Sequence, residues 1–177
     1  MVVAGTRRDW DELDERASSG LATALGQVVA DAGGAWLTLR AYESGEDDDG
    51  RDDAAAGGGT APVRRHLTTP DGRCTIIVDP VSDGRERFAE AMRHLPPAVV
   101  VDEKAVTGVL YEPADVEPDL VLVLGPPTRL PPSLVWELAY SELVFSPVAL
   151  SDLRPEHLQQ AVDDFHGRRR RFGGLDT

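Results

Sequence analysis

The chain has 177 residues, 41% of them hydrophobic, which suffices for the core of one compact domain. Its formal net charge of −13 opposes binding to nucleic acid, whose phosphates require clustered Lys and Arg side chains. No apolar run approaches the roughly 20 residues of a membrane-spanning helix, and residues 1–9 lack the apolar segment of a secretion signal, so we expect a cytoplasmic protein without a membrane span.

Patterns typical of helices and strands alternate along the first half of the chain. Residues 9–32 have acidic side chains in their first turns and apolar residues at helical spacing, which predicts an amphipathic helix. Residues 35–42 are rich in types that suit a buried, pleated surface and predict the first strand. Residues 43–61 are mostly Asp, Gly and Ala with hardly an apolar anchor, and we expect a mobile loop there. A second strand over 73–79 and a helix over 84–95 are predicted next.

The second half continues the alternation. A short helix is predicted over 102–110, and the apolar run 120–124 predicts a central buried strand. A Pro-Pro-Ser start introduces a predicted helix over 131–140, which is followed by a short strand over 143–145 and a closing helix over 155–170. This alternation predicts a single α/β domain of all 177 residues, with a mainly parallel central sheet flanked by helices.

Two motifs near the end of the chain carry a family resemblance. Residues 136–145 read Trp-Glu-Leu-Ala-Tyr-Ser-Glu-Leu-Val-Phe, and Arg170-Arg171-Phe172-Gly173-Gly174 follow later. In this order and spacing they resemble the C-terminal signature of the cis-prenyltransferases, the undecaprenyl diphosphate synthase family. The resemblance implies a reaction in which an allylic diphosphate ionises and isopentenyl diphosphate attacks it, with Mg²⁺ and arginines stabilising the negative charge on the leaving group.

Several positions depart from the family pattern. The family places an Asp-Gly-x-x-Arg phosphate loop after its first strand, and we expect this chain to lack both that strand and a glycine-bearing loop. The second diphosphate site has an arginine, a serine, a glycine and a glutamate in the family, and a further serine downstream. The chain has other residues there: Val123, Gly125, Pro126 and Pro127 in the first four positions and Pro131 in the last. Arg129 is retained at the position of a second diphosphate-binding arginine.

Other family features are retained. Glu142 stands at the position of a Mg²⁺-binding carboxylate, although a glutamate that serves the fold or an interface fits this position equally well. The resemblance places Trp136, Tyr140 and Phe145 in the dimer-forming region. Arg171, Phe172 and Gly173 preserve the Arg-x-Gly motif that family dimers contribute to isopentenyl diphosphate binding in the neighbouring subunit. The plainer interpretation is that the terminal arginines only complement the C-terminal end of the last helix.

The family residues that would act within this subunit are lost, whereas the dimer-forming region and the motif donated to a neighbour are retained. This pattern implies a non-catalytic accessory subunit, similar in kind to the Nogo-B receptor. The expected partner is a catalytic cis-prenyltransferase subunit that makes a polyprenyl diphosphate and, with its substrate, holds most of the Mg²⁺. Any contact with a membrane would be peripheral, through the product or the partner. One alternative is a homodimeric enzyme that processes prenyl diphosphates with Glu142 and Arg129, and another is a purely regulatory pseudoenzyme.

Overall fold

The computed structural model of the chain describes residues 1–13, 15–43, 64–114, 116–127, 130–134, 136–139 and 141–168. Apart from Glu43, the predicted loop at 43–61 lies outside these residues. Five of the residues singled out above also lie outside them: Arg129, Tyr140, Arg171, Phe172 and Gly173.

The described residues form one α/β structure with a six-stranded sheet, which confirms the predicted fold class. In chain order the elements are β1 (Val2–Thr6), α1 (Arg7–Asp11), α2 (Glu15–Asp31), β2 (Trp36–Tyr42), β3 (Arg65–Thr68), β4 (Thr75–Asp79), α3 (Gly84–His94), α4 (Glu103–Leu110), β5 (Leu120–Leu124), β6 (Glu142–Ser146) and α5 (Pro155–Gly167). The strand order is β3-β4-β2-β1-β5-β6, and every neighbouring pair is parallel except β3 and β4. In the described part of the chain, every helix is too short or too polar to cross a bilayer.

The prediction that the first strand is missing is wrong. β1 lies between β2 and β5, with Val2 paired to Thr38 on one side and to Val121 on the other. Its first four residues are buried. A five-residue apolar segment shows no clear period, so its strand character depends on the two partners that satisfy its backbone hydrogen-bonding groups.

Two further predictions need correction. The helix expected over 131–140 is replaced by two short 3-10 turns, Pro132–Leu134 and Glu137–Ala139. Prolines at a first turn are compatible with a helix, so the reason lies in the tertiary structure, where buried Glu137 forms ion pairs with Arg40 and Arg87. The antiparallel edge strand β3 was not predicted, because its sequence, Arg-His-Leu-Thr, is mostly polar.

Helices cover both faces of the sheet. On the α2/α5 face, α2 and α5 pack on the strands through side chains such as Leu25, Leu37 and Leu158. On the opposite face, called here the α3/α4 face, Ile77 packs with Leu110 of α4. These two layers leave the ends of the strands as the accessible edges of the sheet.

Close packing of α2 on β4 generates a prediction. A Cβ atom on Gly26 would lie 2.6 Å from Cδ1 and 2.8 Å from Cγ1 of Ile76, which is fully buried. Replacing Gly26 with Ala should therefore lower the free energy of unfolding by about 1–2 kcal/mol, although alanine favours helices. Gly20→Ala is the matched control in the same helix, because its added methyl group meets no atom within 4 Å. It should raise stability by about 0.5–1 kcal/mol in chemical denaturation; equal effects of the two variants would contradict this packing.

Candidate functional site

The strand order reverses at β1. From β1 the chain moves to β2 and then β4 on one side, whereas β5 and β6 lie on the other. In open α/β sheets, ligands bind outside the carboxyl ends of the strands at such a reversal. The crevice between the carboxyl ends of β1 and β5 is therefore the first place to look for a diphosphate site.

The end of β1 carries most of the phosphate-loop pattern that was expected to be absent. Residues 4–8 read Ala-Gly-Thr-Arg-Arg, so Gly5 and Arg8 match the glycine and arginine of Asp-Gly-x-x-Arg, and Ala4 replaces the aspartate. The prediction that the chain lacks both the first strand and its glycine is thus wrong, although Gly5 lies within β1 and α1 begins directly after the strand. Gly5 is buried, and a Cβ atom on it would lie 3.4 Å from both Leu150 Cβ and Trp10 Nε1. The spacing of Gly5 and Arg8 is visible in the sequence and could have predicted this loop.

The two arginines after β1 pair with acidic residues of their own helix. Arg8 Nε donates to Glu12 Oε1 at 3.3 Å, and Arg7 Nε lies 3.6 Å from Asp11 Oδ2. All four side chains are more than 40% exposed, and such exposed pairs contribute little stability. Both guanidinium groups can therefore exchange these carboxylates for another anion.

The end of β5 has few free backbone donors. Gly125, at φ +110°, adopts a conformation that favours glycine, and its N–H donates to Ser146 O at 2.7 Å. Pro126 and Pro127 follow and have no N–H. The Tyr42 hydroxyl donates to Leu124 O at 2.5 Å, and burial raises the pKa of this phenol. A tyrosine and two prolines thus occupy the β5 side of the crevice.

Glu142 lies at the amino ends of the strands, on the side of the sheet opposite to the crevice. It is the first residue of β6, its N–H donates to Asp119 O at 2.8 Å, and it pairs in register with Leu120 at the start of β5. Its Oε2 atom is buried and has no hydrogen-bond partner within the described residues. A strand of this length separates its two ends by roughly 13 Å, so Glu142 cannot share a metal ion with the loop after β1 of its own chain.

The end of α5 also lies near the amino ends of the strands. Arg168 Nη1 donates to the carbonyl oxygen of Leu143 at 3.1 Å. Arg171 follows three residues later, and three residues extend at most about 11 Å. The α5 helix has 13 residues and spans about 20 Å, so its end is far from the crevice at the carboxyl edge.

Two of the predicted interface residues are described. Trp136 is partly exposed, its ring centroid lies 5.9 Å from that of Phe88, and its Nε1 donates to Glu117 Oε1 at 3.3 Å. Phe145 is half-buried and packs against the cluster that contains Tyr42. Both side chains have contacts within the chain, and their place in a dimer interface stays a prediction.

A buried cluster of four charged residues on the α3/α4 face was not predicted. Arg40 of β2 forms ion pairs with Glu137 and with Asp79, where Nη2 lies 3.5 Å from Oδ2. Arg87 of α3 lies 3.3 Å from Glu137 Oε1 and 3.6 Å from Asp79 Oδ2, and it donates to Ser133 O at 3.1 Å. All four charged residues are at most 5% exposed. A lone arginine inside the otherwise apolar strand β2 was the one signal in the sequence.

Opposite charges keep this cluster ionised. Burial favours the neutral forms of Asp79 and Glu137, but Arg40 and the other nearby guanidinium groups outweigh burial and lower the pKa of both carboxyls. Burial also opposes the charge of Arg40, yet Glu137 and Asp79 raise its pKa. Burial and the neighbouring Arg40 lower the pKa of Arg87 to about 10, so it is still charged at neutral pH. The four buried charges balance, and the partly exposed Arg64 adds a third cation that donates to Asp79 Oδ2 at 3.0 Å. The cluster joins β2, β4, α3 and the Glu137–Ala139 turn.

Removing one charge from this cluster should be costly. Glu137→Gln leaves Arg40 without its closest anion and should lower the free energy of unfolding by about 3 kcal/mol. Glu156→Gln, an exposed position in the first turn of α5, is the control and should change stability by less than about 1 kcal/mol. Urea denaturation measures both values, and equal losses would contradict the role of the cluster.

The lowered carboxyl pKa values also predict a pH dependence. A group whose pKa is lower in the folded state stabilises the fold above its unfolded pKa and loses this contribution as the pH falls through the folded value. Stability should therefore fall below the ordinary values of 4.5 for Glu137 and 3.8 for Asp79. Glu137→Gln should show a shallower fall than the wild type over this range, as measured by denaturation at several pH values. A parallel pH profile would contradict the assignment.

The described residues do not form a metal site of their own. No group of three or more His, Cys, Asp or Glu side chains within the described ranges converges as metal ligands would. Ala4 supplies no carboxylate at the end of β1, and Glu142 lies at the other edge. Within one chain, these residues do not fit Mg²⁺.

Comparisons with known proteins agree with the resemblance. A family model described as putative undecaprenyl diphosphate synthase matches residues 66–173. Isoprenyl transferase 2 of Bradyrhizobium diazoefficiens is 33% identical over 117 residues, which cover 62% of this chain and 46% of that protein. The ditrans,polycis-undecaprenyl-diphosphate synthase of Xanthomonas campestris, specific for (2E,6E)-farnesyl diphosphate, is 33% identical over 128 residues, covering 64% and 50%. The chain spans about half the length of these curated relatives.

A solved structure has the same fold. The crystal structure of a probable undecaprenyl diphosphate synthase from Campylobacter jejuni superposes with a TM-score of 0.59 at 19% sequence identity. The match covers 98% of each chain. At this identity the likeness concerns the fold alone.

Proposed function

The chain belongs to the undecaprenyl diphosphate synthase family, and we propose that within it the protein acts as a non-catalytic subunit of a heteromeric cis-prenyltransferase. The observation that carries this proposal is Ala4. It is fully buried at the end of β1, where the family's phosphate loop has an aspartate. A methyl group can neither ligate Mg²⁺ nor respond to the charge that develops on a departing diphosphate.

The β5 side of the crevice supports the same conclusion. An anion site built from backbone requires several free N–H groups that point at the ligand. The N–H of Gly125 is already bonded to Ser146, and the next two residues are prolines. Arg129 is the one arginine that the resemblance retains for the second diphosphate site, and one arginine is a weak anion site.

The position of Glu142 and of the end of α5 supports donation to a second subunit. Glu142 and the end of α5 share the amino edge of the sheet, on the far side from the chain's own crevice. Arg171 follows Arg168 by three residues, and Arg168 is bonded to Leu143 near the amino end of β6, which supports donation to a neighbour. A planar guanidinium that is always charged can bind a diphosphate through two parallel hydrogen bonds.

The two subunits have different roles in this proposal. The partner is a catalytic cis-prenyltransferase subunit, which together with its substrates holds the Mg²⁺ and makes a polyprenyl diphosphate. This chain contributes its Arg-x-Gly motif, Arg171 to Gly173, to the partner's isopentenyl diphosphate site. Trp136, Tyr140 and Phe145 lie in the segment proposed for the dimer interface.

One observation bears on the alternative of a homodimeric enzyme that uses Glu142 and Arg129. The buried, unpartnered Oε2 of Glu142 is suited to a ligand. However, Glu142 begins β6 at the amino ends of the strands, away from the β1/β5 crevice, and Arg129 lies outside the described residues. This alternative therefore has the support of one residue only.

Co-expression with a catalytic homologue from the same organism tests the proposal. The purified complex should incorporate labelled isopentenyl diphosphate, and the lone chain should not. Arg171→Ala should lower incorporation by the complex about tenfold or more, because a charged hydrogen-bond donor to the substrate is lost. Arg169→Ala, in the same arginine run, is the matched control and should stay within about twofold.

Two outcomes would overturn the proposal. Chain elongation by the lone protein would show that it needs no catalytic partner. Full activity of a stable Arg171→Ala complex would leave a purely regulatory or structural role. Co-purification of the two chains in every variant ensures that a loss of activity is not a loss of assembly.

A further inference from the structure

The loop between α3 and α4 exposes apolar side chains to solvent. Val100 and Val101 are 81% and 58% exposed, and Val116, in the segment between α4 and β5, is 54% exposed. These three are the most exposed large apolar residues in the described part of the chain. Single exposed apolar residues are common on protein surfaces, whereas a group of neighbouring ones marks an interaction surface.

A shallow hollow connects Val116 to this loop. Its volume is about 490 Å³, and Asp102, which directly follows Val101, lines it together with Val116. The other residues that line it belong to α4 or follow Val116, and they are Glu103, Lys104, Thr107 and Glu117. The three exposed valines and the residues of this hollow therefore form one surface, called here the α4 patch.

The α4 patch is negatively charged. Three carboxylates, of Asp102, Glu103 and Glu117, outnumber the one ammonium group, of Lys104. Asp102 Oδ1 accepts a hydrogen bond from the backbone N–H of Ala105 at 2.8 Å, which caps α4 and leaves the carboxylate charge in place. The exposed valines thus lie beside an excess of negative charge.

The patch is continuous with the segment proposed for the dimer interface. Glu117 Oε1 accepts from Trp136 Nε1 at 3.3 Å and from the Thr107 hydroxyl at 2.9 Å. One carboxylate oxygen thus connects α4 to Trp136, which the family resemblance places in the dimer-forming region. A partner that covers Trp136 would meet Glu117 and the neighbouring patch as well.

The charge of the patch favours a different chain over a second copy. In a twofold symmetric dimer, the same surface of both copies takes part in the contact. The excess carboxylates of the two copies would then be brought together, and like charges are unfavourable at an interface. A partner surface with Lys and Arg side chains around an apolar centre matches both the charge and the exposed valines.

We propose that the α4 patch docks the catalytic partner subunit, and that its carboxylates select a basic surface and disfavour a second copy of this chain. The exposed valines supply the apolar contact, and the carboxylates steer the encounter. This inference rests on the proposed subunit role and adds to it the docking surface and the charge of the partner.

Binding kinetics with the catalytic homologue from the same organism test the carboxylates. One variant combines Asp102→Asn, Glu103→Gln and Glu117→Gln, because the amides can keep the helix cap and the hydrogen bonds while the charges are removed. Its association rate constant at low salt should be about tenfold lower than that of the wild type, and it should depend less on salt.

A matched control removes the same number of charges elsewhere. It combines Asp152→Asn, Glu156→Gln and Asp163→Asn, three exposed acidic positions that do not line the hollow. Its association rate constant should stay within about twofold of the wild-type value. An equal fall in both triple variants would show that net charge alone matters, and it would overturn the inference.

A further variant tests the apolar contact. Val100→Ser combined with Val101→Ser should raise the dissociation rate constant about tenfold and leave the association rate constant within about twofold, because apolar burial acts after the encounter. Both positions are exposed, so the variant should fold, and thermal unfolding verifies this. An unchanged dissociation rate constant would overturn the inference.

The outcomes separate this inference from the proposed subunit role. Kinetics that are insensitive to the patch, in a complex whose activity requires Arg171, would overturn the inference alone. Kinetics that depend on the patch, in a complex that stays fully active with Arg171→Ala, would overturn the donation of Arg171 alone. Failure of the wild-type chain to bind the homologue would overturn both. A homodimer seen by sedimentation at low salt, and weakened by the valine variant, would make a second copy the occupant and overturn the inference.

Discussion

Parallel pairing of β1 with both β2 and β5 is the constraint on which the rest of the structure depends. Because all three strands run in the same direction, their carboxyl ends meet at one edge and their amino ends at the other. The loop after β1 and the end of β5 therefore lie together, and Glu142 and the end of α5 lie together far from them. A family site that needs groups from both edges cannot be completed within one such chain.

The buried cluster of Arg40, Asp79, Arg87 and Glu137 connects the Glu137–Ala139 turn to β2, β4 and α3. An arginine buried in the strand β2 requires nearby anions, and only one docking of the Glu137–Ala139 turn supplies Glu137 to it. Such a pair is weak evidence for net stability, because burying both charges is itself costly. Its effect is to favour one position of the turn, because any other position would leave two buried guanidinium groups partly uncompensated. We regard this as the reason the turn that follows Trp136 lies where it does.

The two sides of the β1/β5 crevice differ in how far they have departed from the family pattern. The β1 side keeps Gly5 and Arg8 and has lost one carboxylate, whereas on the β5 side prolines replace residues that could donate hydrogen bonds. Arg7 and Arg8 are exposed and only loosely paired. The positive charge of these arginines is offset by Asp11, Glu12 and Glu43 beside them, so the β1 side of the crevice carries both charges.

The sequence by itself determined the fold class, the strands at Trp36–Tyr42, Thr75–Asp79 and Leu120–Leu124, and the family resemblance. It could do so because the periodicity of apolar residues, the turn-forming residues and contiguous sequence motifs are all local signals. Only the tertiary structure decided that Val2–Thr6 is a strand, since a short apolar segment becomes one through partners more than 30 residues away. The charge cluster was hidden for the same reason: its members are separated by up to 97 residues, and no local pattern encodes which carboxylate a buried arginine will meet. Backbone pairing and charge compensation across the fold brought these distant residues together.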